Sequence, residues 1–158
     1  MTDFMRRKGL LAAVIVLFGL ATAAPLQAAG GGSSTPKNPD FAAAKKLVAA
    51  GDYYAALPLL EKAVAAEPRN ADAQNYLGYS HRKLGNKEKA LEHYQLALQV
   101  DPEHRGANEY LGELYLEMGQ LDKAKERLDV LASACFFGCE EYRELKAAIK
   151  AYEEKAGG

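Results

Sequence analysis

The residues of this chain whose types and spacing could do chemistry are two cysteines, three histidines and a ladder of three glutamates. Cys135 and Cys139 flank Phe136-Phe137-Gly138. Two thiols this close can form a structural disulfide, act as a redox pair, or give a metal such as copper two soft ligands. A bridge would close a very small loop and contribute roughly 2 kcal/mol at most. Against a metal, two thiolates are an incomplete shell and no histidine lies nearby in sequence. Against redox work, the pair lacks the two-residue spacing and helix-start setting that lower a thiol pKa. The disulfide is therefore the expectation, with the redox pair and the metal site as alternatives. His81, His93 and His104 fall at unrelated phases of the chain, so they are expected neither to gather on one face nor to find partners, and His81 reads as a packing residue. Ser80 beside it is no catalytic dyad, because neighbours in a helix point in different directions. Gly30-Gly31-Gly32 follows no strand and precedes no Gly-Lys-Ser or Gly-Lys-Thr, so it reads as a tether and not a phosphate loop. With no paired-carboxylate signature, ligand run or cofactor loop, no catalytic residue, cofactor or metal is expected, and the chain reads as a non-enzyme. Glu109, Glu113 and Glu117 are spaced by four and form one acidic stripe on a helix. Like charges at that spacing cost a few tenths of a kcal/mol per pair, so the stripe is either offset by Arg82 and Lys83 or kept for a basic ligand.

Elements must hold these side chains in place, and composition says which kind. The chain has 158 residues, 49% of them hydrophobic and 26% charged, with no tryptophan. Alanine, leucine, lysine and glutamate dominate after the first forty residues, which favours helix. One core is the upper limit at this length. With 20 basic and 21 acidic residues the formal charge is −1, so no overall field draws the chain onto nucleic acid or an anionic membrane. The run His81-Arg82-Lys83 with Lys87 and Lys89 is interrupted by Glu88 and reads as a solvated face, so no nucleic-acid partner is expected.

The first segment reads as an address. Arg6, Arg7 and Lys8 precede an uncharged run from Gly9 to Ala24, followed by small residues at Ala28 and Ala29. That order is the pattern of a bacterial secretory signal over 1–28, so the chain is expected to be secreted and periplasmic. The run is shorter than the roughly 20 apolar residues that span a bilayer, which makes an uncleaved anchor, the one membrane link considered, the lesser reading. Residues 29–39, rich in Gly, Ser and Pro, read as a linker, with Pro36 and Pro39 blocking helix.

Beyond the tether the chain repeats with a period of 34. Gly51, Gly85 and Gly119 are one period apart, as are Ala44, Gly78 and Gly112; Ala56, Ala90 and Ala124; Leu60, Tyr94 and Leu128; and Pro68 and Pro102. Between these markers apolar residues recur three and four apart, the spacing of an amphipathic helix. Each unit is then a helical hairpin: the first glycine set ends the first helix in a left-handed turn, and the small residues let the second helix approach. Leu60, Tyr94 and Leu128 fill the space beyond, and proline stops the second helix. Pro58 fits if its helix begins near Tyr54, where the missing donor would be unpaired anyway. Tyr142, Leu145, Ile149 and Tyr152 fall on one stripe and predict a capping helix over Glu140–Lys155. The expected fold is all-α: an α-solenoid of three 34-residue hairpins over 40–136 (about 37–70, 71–104 and 105–136), closed by a capping helix and tail at 137–158.

In the order glycine, alanine, bulky, alanine, proline, the residues Leu77-Gly78, Gly85, Ala90, Tyr94, Ala97 and Pro102 resemble the tetratricopeptide repeat, over about residues 37–136. The first unit departs with Ala43-Ala44, and the third with Leu131 and Phe136, as suits terminal units. The resemblance implies a concave groove lined by the first helix of each unit, with protein partners in it. The groove positions are Phe41, Lys45 and Ala49, then Asn75, Tyr79 and Lys83, then Glu109, Glu113 and Glu117, with Arg82 and Tyr110 beside them. They grade from apolar and basic to acidic. Some family members hold a chaperone's terminal carboxylate with cationic groove residues; Glu109 and Glu113 here oppose that. The expected ligand is a protein or peptide segment of basic and apolar character, stacking on Tyr79 or Tyr110 and meeting the glutamates. The expected function is a non-catalytic scaffold of the cell envelope; the alternatives are a redox or metal-handling protein acting through Cys135 and Cys139, and a holdase for unfolded chains.

Overall fold

The computed structural model describes residues 38–157. The leader at 1–28 and most of the 29–39 linker lie outside the described residues. Those residues form seven helices: α1 (Pro39–Ala49), α2 (Tyr53–Ala66), α3 (Ala71–Lys83), α4 (Lys87–Val100), α5 (Arg105–Glu117), α6 (Leu121–Ala134) and α7 (Glu140–Ala156). Successive helices pair as α1/α2, α3/α4 and α5/α6. The first helices of the hairpins lie side by side, and α7 packs on α5 and α6. This is the α-solenoid of three hairpins and a cap. Among the described residues, no helix is long and apolar enough to cross a membrane.

Short polar residues set the helix starts. Asn38, Asp52 and Asn70 each accept a hydrogen bond from the backbone N–H three residues on, at 3.0, 3.0 and 2.9 Å. His104 does the same for α5 through Nδ1, which accepts from the Ala107 amide at 3.1 Å. Its Nε2 therefore carries the proton and donates to Asp72 at 3.1 Å. The hairpin turns use glycine because φ is +79° at Gly51, +81° at Gly85 and +73° at Gly119, a region other residues enter only under strain.

Each hairpin closes over its small residues. Ala44, Ala56, Ala90 and Ala124 are fully buried, as are Leu60 and Tyr94. A Cβ at Gly78 would meet the Tyr94 ring at 2.7 Å, so that glycine is what lets the ring lie flat on α3. In the third unit the expectation needs correction. The space over Gly112 is taken by Leu145 of the cap, 2.6 Å from where a Cβ would stand, while Leu128 is only half-buried. Leu128 packs, half-buried, beside the cluster that Leu145 and Ile149 of the cap complete. Leu145 and Ile149 are buried and Tyr142 and Tyr152 pack beside them, the stripe read from sequence.

Two prolines also differ from expectation. Pro39 does not block helix but opens α1 at its first turn, where its fixed φ fits and its missing donor would be unpaired. The start of α2 at Tyr53 is close to the expected one, but Pro58 is the sixth residue of the helix and lies past its first turn. The carbonyl it leaves without its i+4 donor is that of Tyr54, and both residues are on the exposed side, open to solvent.

Candidate functional site

The inner face of the solenoid, built from α1, α3 and α5 and flanked by α7, carries the expected groove residues, and the structure sorts them into three groups. At the first end, the Lys45 ammonium lies 5.7 Å from the centroids of both the Phe41 and Tyr76 rings, which pack edge to face at 5.5 Å. The surrounding cleft reaches Arg69, Asp72, Glu103 and Arg105.

The middle group is the pocket between α3 and α5. Asn75, Tyr79, Glu109 and Tyr110 line it together, with Tyr76 from α3 and Glu141 from α7. The Tyr79 and Tyr110 rings sit 4.8 Å apart, and Tyr53 meets Tyr79 edge-on at 5.9 Å. Burial raises both tyrosine hydroxyls above their ordinary pKa, so the wall is neutral. Asn75 is 5% exposed and Glu109 3%. Burial, and then Glu144 of α7 close by, push the Glu109 carboxyl up to about 9, so it holds a proton at neutral pH.

The third group is an ion-pair cluster. Arg82 reaches across from α3 to α5, where Nη1 meets the Glu113 carboxylate and Nε donates to Glu117 at 2.8 Å. Nη2 lies 2.7 Å from the same Glu117 oxygen. Burial works against the Arg82 cation, but Glu113 and Glu117 outweigh it and raise the pKa above its ordinary value. Lys83 stands apart from this cluster, its ammonium 5.1 Å from the Tyr79 ring centroid. The acidic stripe thus divides: Glu113 and Glu117 are offset by Arg82, and Glu109 faces other carboxyls.

The sequence missed Tyr53, Tyr76, Glu141 and Glu144. Glu141 and Glu144 each precede a member of the cap's apolar stripe, Tyr142 and Leu145, and that phase was the available signal. The histidines also need correction, for they do find partners. His81 and His93 stack at 5.5 Å with rings 6° from parallel, and His93 Nδ1 is 2.9 Å from Gln74 Oε1. They meet because the α3/α4 hairpin folds back, although their repeat phases differ. His81 is buried, a packing residue; burial lowers its pKa and that of His93. Cys135 and Cys139 are bonded to each other with Cα atoms 5.5 Å apart and line neither groove cleft, and Phe136 and Phe137 between them are 92% and 99% exposed. Among the described residues no three His, Cys, Asp or Glu side chains gather as metal ligands.

Two family models described as tetratricopeptide repeat match residues 41–103 and 83–149. The chain belongs to the tetratricopeptide repeat family. The Sgt2 TPR domain from Aspergillus fumigatus is 26% identical, with a TM-score of 0.68 over 78% of this chain and 84% of that one. PcrH in complex with the chaperone binding region of PopD is 19% identical, TM-score 0.67, covering 80% and 97%. The first TPR of Spaghetti (RPAP3), bound to the HSP90 peptide SRMEEVD, is 18% identical, TM-score 0.64, covering 72% and 90%. The last two show a shared fold alone. No curated protein matches the sequence.

Proposed function

We propose that this tetratricopeptide repeat protein is a non-catalytic scaffold of the bacterial cell envelope, delivered there by residues 1–28, which holds a protein segment of basic and apolar character along its inner groove. The observation that carries the reading is the middle pocket, where tyrosines converge with two nearly buried polar side chains in an open cleft among the described residues. Aromatic walls with a few placed polar groups suit a peptide side chain, and rigid helices preorganise them. Similar folds are seen with bound peptide segments, in PcrH with PopD and RPAP3 with SRMEEVD. The latter peptide is acidic, whereas Asp72, Glu109 and Glu141 line this pocket with no lysine or arginine among its lining residues, so a basic segment is the better complement here.

A random peptide library panned on the immobilised full chain tests this, with Tyr79→Ala as the control. Enrichment of a shared pattern with basic and apolar residues, lost on Tyr79→Ala, is the expected result. Peptides of no common pattern would point to a holdase, and no enrichment would overturn the groove reading. The envelope setting is tested by fusing 1–28 to alkaline phosphatase, which is active only after export; an inactive fusion overturns it.

A further inference from the structure

We propose that the loop between α6 and α7 is a lipid-contacting tip: the Cys135–Cys139 bridge presents the Phe136 and Phe137 rings so that they enter the interfacial layer of a zwitterionic bilayer. The proposal is independent of what the groove holds.

Two large apolar side chains are left in water here. Phe136 and Phe137 are more exposed than any other large hydrophobic residue among the described residues; Tyr54 follows at 79% and Met118 at 36%. The two rings pack edge to face with centroids 6.0 Å apart, so they form one patch. The loop backbone is closed on itself. Cys135 ends α6, its carbonyl accepts the Gly138 N–H at 2.9 Å, Gly138 turns at a φ of +78°, and Cys139 opens α7. With the bridge joining both helix ends, the three residues between have little freedom to fold the rings back onto the helices. A tip already held in shape avoids an ordering cost when its rings reach apolar surroundings. Exposed apolar patches of this kind mark either protein or membrane contacts.

Area and charge choose between the occupants. Two phenylalanines offer about 300–500 Å² together, whereas a stable protein interface takes about 800 Å² from each partner. A second copy joined tip to tip falls short of that. A specific protein pocket surrounds an apolar anchor with a polar, hydrogen-bonding rim. From Val130 to Cys139 no side chain is charged, and the one hydroxyl, on Ser133, already donates to the Asp129 carbonyl at 3.1 Å. The tip therefore offers a partner protein no polar rim. A bilayer interface asks for none: an uncharged tip with aromatic rings at its apex is what shallow insertion needs. The nearest charges in sequence are Asp129 on one side and Glu140 and Glu141 on the other, all acidic, so anionic headgroups repel the tip and zwitterionic ones accept it. Two rings make a weak, reversible contact with the surface, and among the described residues no helix is built to cross it.

Tryptophan fluorescence tests this, because the chain contains no tryptophan of its own. Phe137→Trp places a single reporter in the tip of the full chain, and Tyr54→Trp places one at the other strongly exposed aromatic as control. Each is titrated with phosphatidylcholine vesicles, plain and with brominated acyl chains. Expected at position 137 are a saturable blue shift and quenching by the brominated lipid, with neither at position 54. Because the reading is local, lipid affinity elsewhere in the chain does not mimic it. Adding Phe136→Ser to Phe137→Trp should raise the lipid concentration at half-saturation by about tenfold. No shift or quenching at position 137, equal responses at both positions, or a midpoint unmoved by Phe136→Ser would each overturn the proposal. A blue shift at position 137 that follows protein concentration without lipid would overturn it in favour of a second copy.

Discussion

Arg82 holds the second and third repeats together at the groove, and its removal gives a magnitude that can be worked out. In Arg82→Met two carboxylates 31 and 35 residues away lose Arg82 at once, Glu117 keeping only Lys87 at 3.9 Å. The Arg82 side chain is 11% exposed, but those of Glu113 and Glu117 are 26% and 37% exposed, so water recovers part of the loss. Breaking a fully buried pair costs about 3–5 kcal/mol and an exposed one about 0.2–1 kcal/mol. This geometry lies between, at ~2 kcal/mol. With an unfolding entropy of ~2.1 cal/mol/K per residue over the described residues, that is a fall in Tm of ~8 °C. Much of the penalty comes from the stranded carboxylates, so adding Glu113→Gln and Glu117→Gln to the Met variant should restore more than half of it. Urea denaturation followed by circular dichroism, at low and high salt, reads both steps. A loss below ~0.5 kcal/mol, or a triple variant no better than the single one, would refute the claim that Arg82 neutralises the stripe.

Leu145→Ala removes the side chain that lies on Gly112 and should cost ~3 kcal/mol, detaching the cap first; a cost under ~1 kcal/mol in the same urea assay would mean α7 does not close the solenoid. Glu109→Gln should alter the pH dependence of stability. The folded carboxyl is raised to about 9 from an ordinary 4.5, so the folded state holds a proton the unfolded state has lost, and wild-type stability declines as pH climbs through that interval. The Gln variant lacks this decline, and thermal melts across the interval should show its advantage growing with pH; parallel curves would contradict the protonated carboxyl. Reducing the Cys135–Cys139 bond opens a small loop that contributes no residue to the middle pocket, so dithiothreitol should lower stability by roughly 2 kcal/mol at most while leaving peptide affinity unchanged. A loss of peptide binding on reduction would instead bring the cysteine pair into the function.

What the sequence displayed and what it hid have a common physical origin. The markers Gly51, Gly85 and Gly119, and the small residues beneath Tyr94, are legible because each is needed within one hairpin, where spacing in sequence fixes spacing in space. The cap's stripe is legible for the same reason. Contacts between hairpins are not, since they depend on the angle at which one unit stacks on the next. Arg82 reaching Glu113 and Glu117, and Glu109 lying beneath Glu144, arise from that stacking, and no local pattern announces them. The evenly spaced glutamates looked alike in sequence; stacking gave two of them a cation and left the third among carboxyls. Leu128 matches Tyr94 in sequence, yet Leu145 of α7 lies over Gly112, a contact set by how α7 stacks and not by the repeat's own spacing.

Whether the inner groove holds a protein segment is read out by site-specific photo-crosslinking in cell-envelope extract. A photoreactive residue at Tyr79 stands in the groove, and one at Lys125, which pairs with Glu153 on the α6/α7 side, serves as control. A discrete adduct from the Tyr79 probe, absent from the Lys125 probe and competed by peptides enriched in the library screen, is the predicted result. Equal labelling at both positions, or none at Tyr79, would contradict it.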